Sequence, residues 1–160
     1  MIRSYRQQDF AGVLSVINDG AEAYRGVIPP DQWHEPYMSA EALSTEIATG
    51  VVFRVFDVEG RIMGVMGTQP VKDVLLIRHA YVEREAQRQG VGGALIIDLL
   101  SRAREPVLVG TWAASFWAIE FYRKHAFELV SESDTTRLLG SYWNIPDRQI
   151  ETSVVLRLAR

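Results

Sequence analysis

The sequence predicts an α/β protein in which the strands of a sheet alternate with helices. The apolar, β-favouring segment 74–82 leads into a glycine-rich turn at 87–93, and a helical pattern follows at 94–104. Upstream, two β-favouring runs within 51–69 flank Glu59-Gly60 and predict a hairpin. These patterns together favour a sheet that packs against helices.

The other elements follow from apolar periodicity along the chain. Asp9 is placed to cap a first helix, and Ser39 is placed to begin a second one with a partial capping box. The segment 20–38 between them is expected to be irregular, because glycine and proline interrupt the period. The predicted elements are a strand at 1–6, helices at 9–20 and from 39, strands at 51–58, 61–69 and 74–82, a helix at 94–104, a strand at 106–112, a helix at 115–127, a strand at 128–132, a short helix at 134–143 and a strand at 149–158.

Composition favours a soluble enzyme with one domain. The 160 residues are enough to bury a core, and a single domain is expected over 1–160. The net charge of −3 provides no basic surface, so neither nucleic acid nor a membrane is an expected partner. The absence of cysteine excludes disulfides, a thiol nucleophile and a cysteine-ligated metal. The N-terminus lacks an apolar signal segment and no apolar run reaches spanning length, so a cytoplasmic location is expected.

The turn at 87–93 has the composition of a pyrophosphate-binding loop. Gly90 and Gly92 let the backbone approach a ligand closely, and the helix that follows adds positive charge at its N-terminus. A Walker loop is excluded because no lysine follows the glycines, and a dinucleotide loop is excluded because Leu95 stands where its third glycine would be. The side chains of Gln87, Arg88 and Gln89 are expected to add donors at the mouth of the loop.

Two motifs in this order resemble the GNAT family of N-acetyltransferases. Gln87, Gly90 and Gly92 fit its coenzyme A loop, Gln/Arg-x-x-Gly-x-Gly/Ala. Its second motif is Asn-x-x-Ala-x-x-Phe-Tyr-x-Lys-x-Gly-Phe on a later helix. The positions that match this motif are Ala118, Phe121, Tyr122, Lys124 and Phe127, while Ser115 replaces the asparagine and Ala126 the glycine. The resemblance covers roughly residues 50–130.

The resemblance implies an acyl-CoA N-acyltransferase fold of the α/β (α+β) type, with a mixed sheet of about six to seven strands and about four helices. It implies that acetyl-CoA is the cofactor and that the acetyl group passes to a primary amine of a small molecule or peptide by direct attack in a ternary complex. In the family the thioester arm lies where two parallel strands splay apart, here 80–82 and 111–113, and the Val82 backbone is the candidate anchor for pantetheine and oxyanion. The implied cofactor-binding residues are Ala80, Tyr81, Val82, Gln87, Arg88, Gln89, Gly90, Val91, Gly92, Gly93, Ser115 and Tyr122.

The sequence is also compatible with other functions. A non-catalytic acyl-CoA sensor would tolerate the replacements at Ser115 and Ala126. An acyltransferase that uses another acyl group or an O-linked acceptor fits the same frame, because sites are grafted on folds. An unrelated, flavodoxin-like binding protein is a further alternative.

Two residues are candidates for moving protons. Tyr122 stands at the position of the family tyrosine that protonates the leaving thiolate, and a phenol with a pKa of about 10 keeps its proton at neutral pH. His79 lies two residues before Tyr81 on the same predicted face, and imidazole suits a general base. The alternative roles are a packing aromatic for Tyr122 and a partly buried, bonded histidine for His79. Carboxylate alternatives for the base are Glu22, Glu83 and Glu151, and the histidines at 34, 79 and 125 show no metal-ligand spacing, so no metal is predicted.

The acceptor is expected to lie against the aromatic residues of segment 20–38. The residues predicted to bind it are Tyr24, Ile28, Trp33, Trp112 and Glu151, and His34, Tyr37, Trp117 and Trp143 are further candidates for an aromatic pocket. Aromatic faces attract cationic or planar groups, which favours an amine or an aromatic or hydrophobic acceptor over a highly charged one. The segment 142–151 is predicted to form the other wall or a contact in a homodimer.

Overall fold

The computed structural model describes residues 1–159, which form one seven-stranded mixed sheet. The strands are β1 (Ile2–Ser4), β2 (Val52–Val58), β3 (Arg61–Val71), β4 (Val74–Val82), β5 (Val107–Trp112), β6 (Phe127–Leu129) and β7 (Ser153–Leu158). The helices are α1 (Phe10–Ala21), α2 (Ala40–Ala48), α3 (Val91–Arg102), α4 (Phe116–Lys124), α5 (Glu132–Tyr142) and α6 (Asp147–Glu151). None of these helices is long and apolar enough to cross a bilayer.

The sheet order is β1-β2-β3-β4-β5-β7-β6, and β4 and β5 are its parallel pair. The predicted mixed α/β sheet of six to seven strands is therefore confirmed. The described residues form six α-helices where the resemblance implied about four. One of the additional helices, α6, occupies the beginning of the segment 149–158 that was predicted to be a strand. This helix follows Pro146, a residue type that suits the start of a helix but not the middle of a sheet.

Apolar residues cover both faces of the sheet. Val65 packs in a cluster with α1 and α2, and its neighbour Met66 packs on the opposite face in a cluster with α3 and α4. This alternation follows from the two-residue period of a strand. A third cluster joins α5 to β5 and β7 through Leu138, Leu139 and Val155.

The two predicted helix caps have different outcomes. Ser39 begins α2 as expected, because its hydroxyl accepts a hydrogen bond of 3.0 Å from the Ala42 backbone N–H. Asp9 stands at the N-cap position of α1 as predicted, but its side chain makes no capping hydrogen bond to this helix. Its carboxylate accepts from the Arg6 backbone N–H at 2.7 Å and from the Arg3 guanidinium at 2.8 and 2.9 Å, so it closes the 3₁₀ turn before the helix.

A bulge in β4 opens the middle of the sheet. Arg78 pairs with Gly67 and Tyr81 pairs with Val65, so two residues of β4 stand opposite one residue of β3. His79 takes a left-handed conformation with φ of 54° at this point. The parallel pairing of β4 with β5 ends at Ile77 and Val109, and the two strands separate beyond it.

Candidate functional site

Two cavities meet where β4 and β5 separate. The larger, of about 600 Å³, lies between β4, the 86–93 loop, α3 and α4. The smaller, of about 160 Å³, lies between the ends of β4 and β5 and the segment that precedes β7. Both cavities have Tyr24, Ala80, Tyr81 and Tyr122 in their walls, so the two cavities adjoin at these residues.

The glycine loop gives the large cavity a set of backbone donors. Gly90 is the N-cap of α3 with φ of 81°, a left-handed conformation that glycine adopts without strain. Within the described chain, the first N–H of this helix to bond backward is that of Ala94, which donates to the Gly90 carbonyl. The N–H groups of Val91, Gly92 and Gly93 are therefore available to an anion, and the dipole of the helix favours one there.

The polar side chains of the loop have separate positions. Arg88 lines the large cavity, and within residues 1–159 its guanidinium forms no ion pair. Gln87 also lines the cavity, but its amide donates to the Val82 carbonyl at 3.3 Å. The amide of Gln89 donates to the Glu85 carbonyl at 3.0 Å, and the residue does not line the cavity. Its side chain therefore stabilises the turn and does not provide the predicted donor at the mouth of the loop.

The backbone of Val82 points into the gap between the separated strands. The N–H of the next residue, Glu83, donates across to the Met63 carbonyl at 3.0 Å. Because hydrogen-bonding groups alternate between the two edges of a strand, the N–H and C=O of Val82 face away from β3 and toward β5. This direction suits the predicted role of Val82 as an anchor at the thioester.

Tyr122 lies on α4 at the junction of the two cavities and is only 5% exposed. Burial raises the pKa of its phenol well above the usual value, and the nearby Tyr24 hydroxyl adds to the shift. The phenol is therefore protonated at neutral pH. Burial likewise raises the pKa of Tyr24 to about 12.

Only some of the residues that were predicted to bind the acceptor substrate line the small cavity. Tyr24 and Trp112 line it, whereas Ile28, Trp33 and Glu151 line neither cavity. Trp33 is occupied within its own loop, because the Arg25 guanidinium lies 4.8 Å from the centre of its ring and its indole N–H donates to Glu35. Ile28 is buried away from the site, and Glu151 is exposed on α6.

The segment 142–151 forms a wall of the small cavity through Trp143, Ile145 and Gln149. Trp143 packs on Gly110 of β5, where an added Cβ would lie 3.3 Å from the indole. Of the two roles predicted for this segment, the wall is the one that the structure places at the site. The homodimer contact stays a prediction.

Ser115 lies outside both cavities. Its side chain is fully buried, and its hydroxyl donates to the Trp112 carbonyl at 2.6 Å and lies 3.0 Å from the Thr111 hydroxyl. The hydroxyl is thus used in the turn between β5 and α4. This placement does not support the predicted contact with pantetheine.

His79 lines the small cavity, and its Nε2 lies 3.4 Å from Oε1 of Glu46 on α2. Arg78 also reaches Glu46, with Nη2 at 3.3 Å from Oε1. Consecutive residues contact the same carboxylate because the bulge breaks the alternation of the strand. The carboxylates proposed as alternative bases, Glu22, Glu83 and Glu151, line neither cavity.

Several site residues escaped the sequence interpretation. Glu46 and Arg78 were not considered, and Tyr37 was considered only as a pocket aromatic, although its hydroxyl lies 2.8 Å from that of Tyr81. Burial raises the pKa of both phenols. A polar residue on an otherwise amphipathic helix was the available signal for Glu46, but the pattern does not distinguish it from the exposed Glu41.

The separated parallel strands and the glycine-capped helix beside them belong to a mixed α/β fold that this chain shares with solved structures. The PaiA N-acetyltransferase of Thermoplasma acidophilum, solved in complex with coenzyme A, has a TM-score of 0.74 at 14% identity, over 100% of this chain and 98% of that chain. The ribosomal-protein-alanine N-acetyltransferase of Brucella melitensis has a TM-score of 0.69 at 18% identity, over 100% and 99% of the two chains. An acetyltransferase of Streptococcus agalactiae has a TM-score of 0.72 at 14% identity, over 100% and 98%.

A family model described as "Acetyltransferase (GNAT) domain" matches residues 3–137, and the chain therefore belongs to the GNAT acetyltransferases. Among curated proteins, none matches the sequence. The predicted family and the enzyme class, an acyltransferase of the EC 2.3.1 type, are thus confirmed. Enzymes of this family use acyl-CoA and acetylate amine acceptors.

Proposed function

We propose that this enzyme transfers the acetyl group of acetyl-CoA to a primary amine, with the coenzyme in the large cavity and the amine in the small one. The observation that carries the proposal is the shared wall of the two cavities at Tyr24, Ala80, Tyr81 and Tyr122. A thioester and an amine that approach this point from opposite sides can react directly. No covalent intermediate on the protein is required.

The coenzyme would be held by groups of three kinds. The N–H groups of Val91, Gly92 and Gly93 and the Arg88 guanidinium would bind the pyrophosphate, since all lie at the large cavity. Apolar side chains around Ala118 and Phe121 would pack on the pantetheine arm. The Val82 N–H would then donate to the thioester carbonyl oxygen, whose negative charge grows in the transition state.

The reaction needs two proton transfers. His79 accepts a proton from the attacking nitrogen as the N–C bond forms, and the Val82 N–H stabilises the oxyanion. The C–S bond then breaks, and Tyr122 gives its phenolic proton to the leaving sulfur. The products are the acetamide and the coenzyme A thiol, and water restores the protonation states of both side chains. Burial keeps the phenol of Tyr122 protonated until the thiolate forms. The same burial disfavours the charged thiolate, which favours transfer of the proton to sulfur.

The small cavity favours a compact acceptor. Its volume of about 160 Å³ is below the roughly 300–1,000 Å³ of pockets that enclose drug-sized ligands. Tyr24, Trp112 and Trp143 supply aromatic faces, and Arg78 disfavours a second positive charge on the acceptor. The proposal therefore covers a small amine, or the amino end of a peptide that enters only with its terminal group.

Titration calorimetry with acetyl-CoA and with coenzyme A tests the cofactor, and a panel of amines with detection of the released thiol tests the reaction. We expect micromolar binding of both coenzymes, and thiol release with compact aromatic or aliphatic amines. The proposal is contradicted if neither coenzyme binds. Binding without thiol release from any amine would instead favour an acyl-CoA sensor, and release only with alcohols would favour O-acylation.

A further inference from the structure

The bulge in β4 brings a carboxylate to the buried side of His79. Oε1 of Glu46 lies 3.4 Å from His79 Nε2 and 3.3 Å from Arg78 Nη2. The side chains of His79 and Glu46 are 12% and 25% exposed. The Glu46–His79 contact has ion-pair distance but lacks the alignment of a hydrogen bond, and a small rotation of either side chain would supply it.

The two ring nitrogens of His79 have different surroundings. Nε2 is sealed from solvent and has no hydrogen-bond partner within residues 1–159, while the residue as a whole lines the small cavity. Nδ1 is therefore the nitrogen that can meet a ligand in the cavity. Since a neutral imidazole carries one N–H, a proton on Nε2 would face Glu46 and leave the lone pair of Nδ1 toward the acceptor.

Glu46 is itself held in place by a chain of polar contacts. Arg78 donates from Nη1 to the Gln69 amide oxygen at 2.8 Å, and Gln69 donates to the Thr49 carbonyl at 3.2 Å. This chain links the end of α2 to β3 and β4. The contact with His79 lowers the pKa of Glu46 despite its partial burial, and the charge of Arg78 adds to this effect, so the group facing the ring is an ionised carboxylate at neutral pH.

We propose that Glu46 is a positioning residue that holds His79 with its proton on Nε2, so that Nδ1 is the base that receives the proton of the attacking amine. The inference rests on the acetyl transfer proposed above. In the step, the nitrogen lone pair forms the N–C bond, and the N–H proton passes to Nδ1. The resulting imidazolium has its second N–H beside the Glu46 carboxylate, which stabilises the new charge. The carboxylate keeps its own ionisation state throughout.

Kinetics of Glu46→Gln and Glu46→Asp test this role. The charged groups beside the ring are Glu46 from α2 and Arg78 from β4, and the phenols of Tyr37 and Tyr81 line the same cavity. With the carboxylate removed, Arg78 is left without its counter-charge, and the acid limb of the kcat profile should move to lower pH. We expect kcat to fall roughly 3- to 30-fold with the Kd of acetyl-CoA unchanged. Glu46→Asp keeps the charge and should restore the position of the limb, and the matched control Glu41→Gln, on the exposed face of the same helix, should behave as the wild type.

A double-mutant cycle and a spectroscopic measurement separate this role from a structural one. In a His79→Ala background, Glu46→Gln should cause no further loss of kcat, because its effect passes through the ring. The ¹⁵N chemical shifts of the wild-type imidazole should show a protonated Nε2 and an unprotonated Nδ1. A superimposable pH profile in Glu46→Gln, an additive loss in the double mutant, or a proton on Nδ1 would each overturn the inference. Failure of the underlying function would look different, since the wild type would then bind no acetyl-CoA or His79→Ala would keep full kcat.

Discussion

Replacing Gly92 with valine should weaken coenzyme A binding by roughly tenfold or more while leaving the fold intact. Gly92 lies in the first turn of α3, where an added Cβ would stand 3.4 Å from a Phe121 ring carbon and 3.7 Å from Val82 Cγ2. Those are ordinary van der Waals distances, so the Cβ itself fits. The γ carbons of valine extend about 1.5 Å further. With Phe121 on one side, they must enter the space in front of the first-turn N–H groups.

The magnitudes of the two effects can be separated. Glycine and valine in a helix differ by only about 0.4 kcal/mol in propensity, in favour of valine, so the free energy of unfolding should change by less than about 1 kcal/mol. A charge-assisted hydrogen bond contributes about 1.5–3 kcal/mol. Displacing the pyrophosphate from a single N–H group should therefore raise the Kd of coenzyme A by roughly 10- to 150-fold, and displacing it from two should raise it further.

Calorimetry with coenzyme A and thermal unfolding of the free protein measure these two quantities. Gly92→Ala is one control, since its Cβ has room and the binding should stay within a few-fold of the wild type. Gly140→Val is the other, because Gly140 lies in α5 with no atom within 4 Å of an added Cβ. If Gly92→Val binds coenzyme A as tightly as the wild type while its melting temperature is normal, the loop does not hold the pyrophosphate.

Tyr122→Phe should lower kcat by tens to thousands of fold, with the Kd of coenzyme A nearly unchanged. A wild-type kcat in steady-state kinetics of this variant would exclude the acid role. His79→Ala and His79→Gly should both flatten the acid limb of the pH–rate profile. Calorimetric unfolding should find the glycine variant about 0.5–1 kcal/mol more stable than the alanine one, because φ at this position is 54°; equal stabilities would exclude backbone strain there. Ala126→Gly should raise the melting temperature by about 2 °C, since Ala126 has φ of 68° between α4 and β6, and an unchanged or lower value would refute this.

The parts of the fold that the sequence predicts well are those that local physics determines. The hairpin around Glu59-Gly60 and the glycine at the start of α3 were both predicted from residue type, and both glycines have the positive φ that favours glycine. At Ala126, where the motif that this chain resembles has glycine, the chain adopts the left-handed conformation with alanine.

The parts of the site that the sequence mispredicts depend on long-range contacts. Trp33 is a residue type that suits contact with the acceptor substrate, but in the structure it contacts Arg25 and Glu35 of its own loop. Ser115 aligns with a binding residue, but its hydroxyl bonds to the nearest carbonyl. Glu46 is brought to His79 by the packing of α2 on the sheet, and no pattern along the chain marks a contact between residues so far apart.

The bulge at His79 connects the architecture of the sheet to the proposed chemistry. No glycine marks it, so the strand accepts a left-handed residue at a cost of about 1–2 kcal/mol. Pairing with β3 on both sides of the bulge holds this conformation in place. The same irregularity comes directly after the end of the parallel pairing at Ile77, leaves the Val82 N–H facing the gap, and sets His79 beside Glu46. A regular strand would avoid this cost, but it would turn the side chains of Arg78 and His79 to opposite faces of the sheet, so they could not share Glu46. The strain at this one residue is therefore best understood as a requirement of the site and not of the fold.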